Sequence, residues 1–222
     1  MTRLFGRRSI VVCVLLLATT AAGCSKSEYV PDITLAQARP IIDGTAEIHH
    51  VYPAPALVSG KESFGLTGPD TQQVAPSVLA DQVEEELLEA FDQAGVFSKI
   101  TRFDPQPDLV LTGRINALRE HYRPHIWAKI LWAKIPYAGS VVDFLDMKTH
   151  VSSGEADLTL FVLTRNGELV GTYRGASSFK ESFNPTGEVA PGARLNRALS
   201  EAVQQIQHKI LRDAHLRTVA SR

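Results

Sequence analysis

His121 and His125 stand four residues apart in His121-Tyr-Arg-Pro-His125, and His49-His50 forms a second pair. On a helix, a four-residue spacing sets two imidazoles on one face, where they could hold a metal. Pro124 lies between them and breaks that geometry, which leaves two histidines near a strand end. Asp143 and Asp146 could pair as carboxylates for acid–base work, but two solvated acids in a turn account for them better. Glu84-Glu85-Glu86 reads as the exposed start of a helix, where acids suit the dipole. The chain has no Gly-Xaa-Ser-Xaa-Gly elbow, no Walker phosphate loop and no His-Glu-Xaa-Xaa-His zinc motif. No residue is therefore assigned a catalytic or metal-ligating role, and neither a cofactor nor a small-molecule substrate is expected.

One stretch does stand out. Ile126 to Met147 holds both tryptophans, Trp127 and Trp132, in a five-residue echo: Trp-Ala-Lys-Ile-Leu, then Trp-Ala-Lys-Ile-Pro. Pro136 and Gly139 interrupt it before Val141, Val142, Phe144 and Leu145 resume the apolar character, and its charges are Lys129, Lys134, Asp143 and Asp146. Trp beside Lys on an apolar stretch is what a membrane interface or a partner's groove selects, because the indole has an apolar body and a polar edge. Residues five apart lie about 140° apart on a helix, so the two rings do not share one face. Trp127, Ile130, Trp132, Tyr137 and Phe144 are the candidates for contact with a partner. Three occupants are open to this excursion: the second face of its own sheet, another protein or a second copy, and the bilayer.

The amino terminus is an address. Arg3, Arg7 and Arg8 precede an apolar run from Ile10 to Leu17 that is short for a membrane span but suits the core of an export signal. The run ends in Ala21-Ala22-Gly23-Cys24 followed by Ser25-Lys26-Ser27. This resembles the bacterial lipoprotein signal, in which a Cys after small residues is acylated and becomes the mature first residue. A plain secretory signal or an uncleaved anchor is the alternative. Of the two cysteines, Cys13 lies in the part that would be removed, so Cys24 would be the sole remaining thiol. A lone thiol cannot form an internal disulfide in an oxidising compartment, and acylation explains its presence. A covalent lipid on Cys24, palmitate among its chains, would tether the domain without spanning the membrane. Ser25 in place of Asp implies sorting to the outer membrane, on its periplasmic face, by the enterobacterial rule.

The elements that must position these residues follow from composition and periodicity. The 222 residues are 44% apolar and 21% charged with a net charge of −1, which describes one ordinary globular domain with flanks. Beyond residue 23 there are 20 basic and 24 acidic side chains, so the concentrated basic face that nucleic acid needs is missing. The layout expected is a signal peptide over 1–23, a lipidated Cys and flexible tether over 24–45, and a single domain over 46–222 with its aromatic excursion at 126–147. A first strand over 46–52 precedes a Pro- and Gly-rich loop to Pro76. Leu79, Val83, Leu87 and Phe91 recur every four residues and predict a helix that Gly95 stops. A short strand over 96–103 follows. In the long strand 108–122, Leu109, Leu111, Gly113, Ile115 and Ala117 would line one face. Strands over 155–164 and 169–180 flank Asn166-Gly167, the pair suited to a type I′ hairpin turn. A final helix places Leu195, Leu199, Ala202, Val203, Ile206 and Ile210 on one side. Two amphipathic helices with four or more mainly antiparallel strands give an α+β two-layer sandwich with both helices on one face.

Phe91-Asp-Gln-Ala-Gly95-Val-Phe97 followed by Pro107-Asp-Leu-Val-Leu-Thr-Gly113-Arg-Ile115 resembles a signature of bacterial envelope lipoproteins. That group includes the YajG-type lipoproteins, the curli-secretion lipoprotein, penicillin-binding-protein activator lipoproteins and the amino-terminal domain of the Tol-system propeller protein. The resemblance spans about residues 75–215 and rests on core and turn positions. It implies an α+β sandwich and a non-enzymatic role as a protein-binding accessory or assembly factor, with another envelope protein or a second copy as partner. A self-assembling transport or secretion component of the outer membrane is the alternative that the curli-secretion likeness implies.

Overall fold

The computed structural model describes residues 29–39, 41–60, 64–67, 74–134, 148–183 and 192–220. Among these residues six strands and five helices follow in the order β1 (Ile42–Pro53), α1 (Pro55–Val58), β2 (Gly65–Thr67), α2 (Pro76–Ala94), β3 (Phe97–Thr101) and β4 (Leu109–Pro124), then α3 (Ile126–Lys134), β5 (His150–Thr164), β6 (Leu169–Phe183), α4 (Ala193–Arg212) and α5 (Ala214–Ala220). They form one mixed sheet in the order β3-β1-β4-β5-β6, with β2 pairing the far half of β4.

The antiparallel half, β4-β5-β6, is the one the alternating pattern predicts. The other half is parallel: β1 runs alongside both β3 and β4, and β2 alongside β4. The helix α2 makes this possible by carrying the chain from β1 back to the start of β3, which a tight turn cannot do. Pro76 opens α2 and Gly95 closes it in the left-handed conformation at φ 65°, where the Gly95 and Val96 N–H groups cap the Asp92 and Phe91 carbonyls.

Both long helices bury their stripes on one face of the sheet. Leu79, Val83, Leu87 and Phe91 of α2, and Leu195, Leu199, Val203 and Ile206 of α4, join Ile42 and Ile48 of β1, Leu109, Leu111 and Ile115 of β4 and Leu158, Leu160 and Val162 of β5 in a single core. Gly175 on β6 lets α4 settle directly onto the strand, since a Cβ there would overlap the Ala202 carbonyl.

Three local expectations are corrected. A bulge between Ile115 and Ala117 shifts the register of β4, so Ala117 pairs with Asp157 and the inward series resumes at Leu118 and Glu120. The β5–β6 hairpin closes with Gly167 N–H on the Thr164 carbonyl (2.9 Å) and Thr164 N–H on the Glu168 carbonyl (2.8 Å). That is a three-residue loop with Gly167 left-handed at φ 82°, in place of a type I′ turn.

The third correction concerns the tether. Residues 29–38 form an extended strap lying in the helical layer between α2 and α4. Tyr29 (2% exposed), Ile33 and Ala38 are buried in the core. Asn196, Ser200 and Gln207 of α4 bond to strap backbone at Val30 (3.2 Å), Asp32 and Thr34 (3.1 Å), and Ala36 (2.8 Å), while Ala38 N–H bonds to Ala94 O at the end of α2. Residues 29–38, expected as tether, therefore belong to the folded domain. The absence of periodicity that reads as a linker is also what an extended segment between two helices shows, because its polar backbone is satisfied by side chains.

Candidate functional site

The end of the sheet where β4 finishes is built around a buried charge. Glu120 (4% exposed) lies on the core side of β4 and accepts from Ser152 Oγ (2.5 Å) on β5 and from the Leu195 N–H (3.3 Å) in the first turn of α4. It thus serves as the helix cap that Gly192, lacking a side chain, does not supply. Arg194, also buried, reaches Glu120 (3.9 Å) and Glu181 (3.2 Å) and lies 4.5 Å above the Phe183 ring. Phe183 meets Tyr122 and His150, whose ring centroids lie 5.1 and 6.0 Å away. Tyr29 closes the cluster from the strap: its hydroxyl donates to Asn196 Oδ1 (2.7 Å) and its ring covers Gly192, where a Cβ would come within 2.8 Å. Burial, reinforced by the Glu120 charge, pushes the Tyr29 phenol far above its ordinary value, so it remains a donor.

From this end projects α3. His125 N–H bonds to Thr149 O (2.7 Å), and the His125 ring meets Ser182 Oγ (3.0 Å) and stacks near Trp127 at 6.2 Å between centroids. Ala128 is fully buried, whereas Ile126 (78% exposed), Ile130 (53%) and Trp127 (38%) face outward. On a helical wheel Ile126, Ile130 and Trp127 fall within an arc of about 100°, with Ala128 roughly opposite its centre. Lys129 and Lys134 are exposed on the same short helix, which carries no acid. Trp132 belongs to α3 but its side chain, like Tyr137, Phe144, Asp143, Asp146 and Cys24, lies outside the described residues.

A second surface, over which the described residues place no helix, is the sheet face opposite α2 and α4. Arg114, Asn116, Asp157, Thr159 and Arg174 form a network across β4, β5 and β6: Asn116 donates to Asp157 (3.0 Å) and Thr159 (2.9 Å), and Arg174 Nε donates to Asp157 (3.0 Å). Desolvation raises the Asp157 carboxyl, but the Arg174 and Asn116 hydrogen bonds outweigh it and hold the group below its ordinary range. Beyond this network, toward the β5–β6 hairpin, Val110, Phe161 and Leu163 are half-buried and Leu169 is exposed, with Val110 paired to Leu163 across the strands and Arg114 over Phe161. Among the described residues, α3 makes no extensive packing contact with any strand.

The histidine pairs are placed apart from any shared centre. His50 stacks near Tyr52 and approaches Glu84 at 3.7 Å. Among the described residues no group of three His, Cys, Asp or Glu could hold a metal, and no helix is long and apolar enough to cross a membrane. Glu84 is not at an exposed helix start: it is buried, accepting the Val51 N–H (3.0 Å) just after the register of β1 slips, with Arg102 3.4 Å away. Neither Glu84 nor the Glu120–Arg194 pair was evident in the sequence, where each is one ordinary charge among many. A shallow groove of about 340 Å³ between the strap and α2 is lined by Asp32, Glu86 and Glu89. Burial, then the neighbouring Glu89 and Asp32 charges, raises the Glu86 carboxyl.

No family model and no curated protein matches the chain. Solved structures similar to it include protein XCC0632 from Xanthomonas campestris, described by the family model DUF330, with 14% identity over 83% of this chain and 92% of that one at a TM-score of 0.48. A minor lipoprotein from Acinetobacter baumannii matches with 11% identity over 79% and 93% of the two chains (TM-score 0.33). Lipoprotein GNA1162 from Neisseria meningitidis matches with 14% identity over 74% and 98% (TM-score 0.25).

Proposed function

We propose that this protein is a lipoprotein of the bacterial envelope, held through acylated Cys24 on the periplasmic face of the outer membrane, that serves as a binding accessory for another envelope protein and catalyses no reaction. The observation that carries this reading is the unfinished sandwich. Helices cover one face of the sheet, while the other, over which the described residues place no second layer, presents half-buried Val110, Phe161 and Leu163 and exposed Leu169 beside a fixed arginine–aspartate network. Apolar side chains in a row on such a face invite a second layer, and the flanking Arg114 and Arg174 give it polar direction.

A photo-crosslinking residue placed at exposed Thr172, which pairs with Phe161 across the strands, tests the reading in cells in the anchored protein. Crosslinks to one other envelope protein, lost when Phe161 and Leu163 are both replaced by Glu, are the expected result. Crosslinks only between copies of this chain would replace the accessory reading by the self-assembling one. A surface that captures nothing, in a protein that proves to be acylated and exported, would overturn it.

A further inference from the structure

We infer that the outward face of α3 is a second membrane contact, seated in the headgroup layer of the same bilayer that holds the lipid on Cys24; this rests on the reading of Cys24 as an acylated anchor. The docked strap carries the argument. It runs from Tyr29 at Asn196 to Ala36 at Gln207, parallel to α4. That helix starts beside Glu120 and passes Gly175, whose neighbours across the sheet are Leu158 and then Ile115, so it runs opposite to β4. Tyr29, the first described residue, therefore lies at the end of the domain at which β4 finishes and α3 projects.

Distances agree with direction. Cys24 precedes Tyr29 by five residues, a reach of at most about 18 Å. From Glu120, beside the start of α4, to Pro124, where β4 ends, is about 13 Å along the strand. An anchor at Cys24 thus holds this end of the domain against the bilayer, and α3 is what the end presents.

The surface of α3 fits that neighbour. Ile126, Ile130 and Trp127 fill one arc, Lys129 flanks it, Lys134 falls within it at the end of the helix, and no acid interrupts it. Lysine stems can follow apolar surface while their ammonium groups reach anionic phosphates, and indole favours the interface. The helix is too short to cross and would lie along the surface. With α3 given to lipid, the partner surface on the sheet stays free.

The test places a nitroxide at Ile130→Cys in the acylated full-length protein reconstituted into phosphatidylethanolamine–phosphatidylglycerol vesicles, with Thr172→Cys as reference. Both sites are exposed, and Cys24 is blocked by its lipid. The expected result is a several-fold higher ratio of oxygen to nickel-chelate accessibility at residue 130 than at residue 172. Equal, water-like ratios on an acylated protein would overturn the inference and leave the anchor standing. A label at residue 130 shielded from both reagents would mean a protein occupant and also overturn it. An intact thiol at Cys24, seen by mass spectrometry, would remove the anchor and this inference together.

Discussion

Replacing Tyr29 by Ala tests whether the strap belongs to the folded domain. The phenol is 2% exposed, covers Gly192 and donates to Asn196 at 2.7 Å. Truncating a buried aromatic to Ala costs about 3–5 kcal/mol when the cavity cannot collapse, and the wall here is helix backbone, which yields little. Tyr29→Phe keeps the ring and loses one neutral hydrogen bond, for about 1 kcal/mol. The assay is equilibrium urea unfolding of the unacylated protein, comparing midpoints at constant slope. In a domain of this size the Ala variant should also melt about 6–20 °C lower. A loss under about 1 kcal/mol for Tyr29→Ala would refute the reasoning. The strap would then be a loose linker, and the position of the domain over the membrane would no longer follow from where the strap starts.

Glu120→Ala should cost about 3–5 kcal/mol in the same unfolding assay, because it strands Arg194 and the Leu195 N–H in a buried site; Glu120→Gln, which still accepts, should cost clearly less. Asp213 sits at the start of α5, taking a proton donor from the Tyr173 hydroxyl (2.7 Å) and from the His215 and Leu216 N–H groups. The Tyr173 bond, first among these, holds its carboxyl below the ordinary range. Its contribution is therefore present above the unfolded value of about 3.9 and is lost as pH falls through the lower folded value. Asp213→Asn should be less stable at pH 7 and show a flatter decline below about pH 4; an unchanged acid limb would exclude the role.

Periodicity exposed the helices and the antiparallel strands because their buried positions repeat: the stripes on α2 and α4 and the alternation on β5 are local facts of the chain. The parallel strands were hidden for a physical reason. β1 pairs with β3 and β4 across long separations, and β2 is three residues whose pairing depends on β4 being extended past its bulge. A bulge also defeats alternation, which is why Ala117 was set on the wrong face. The buried carboxylates were illegible because burial is decided by partners far away: Glu84 answers to Val51, and Glu120 to Ser152 and Leu195. Of the aromatic excursion, Trp127 and Ile130 are exposed on α3, while Trp132, Tyr137 and Phe144 fall outside the described side chains.

The two surfaces lie at opposite ends of one strand, and this gives the domain a direction. Val110 marks the apolar end of the open face and Pro124 the end from which α3 leaves, fourteen residues apart on β4. At about 3.3 Å per residue that is roughly 45 Å along the strand. On the proposed reading of Cys24, the docked strap would fix the anchor near one end, so the other would stand clear of the membrane at a distance set by the sheet. A long tether would let the same face sweep a hemisphere and meet partners at random angles; a short one confines the search and raises the effective concentration toward a partner held at the same membrane. Undocking the strap by Tyr29→Ala should therefore weaken capture at the sheet face even though no residue of that face has changed.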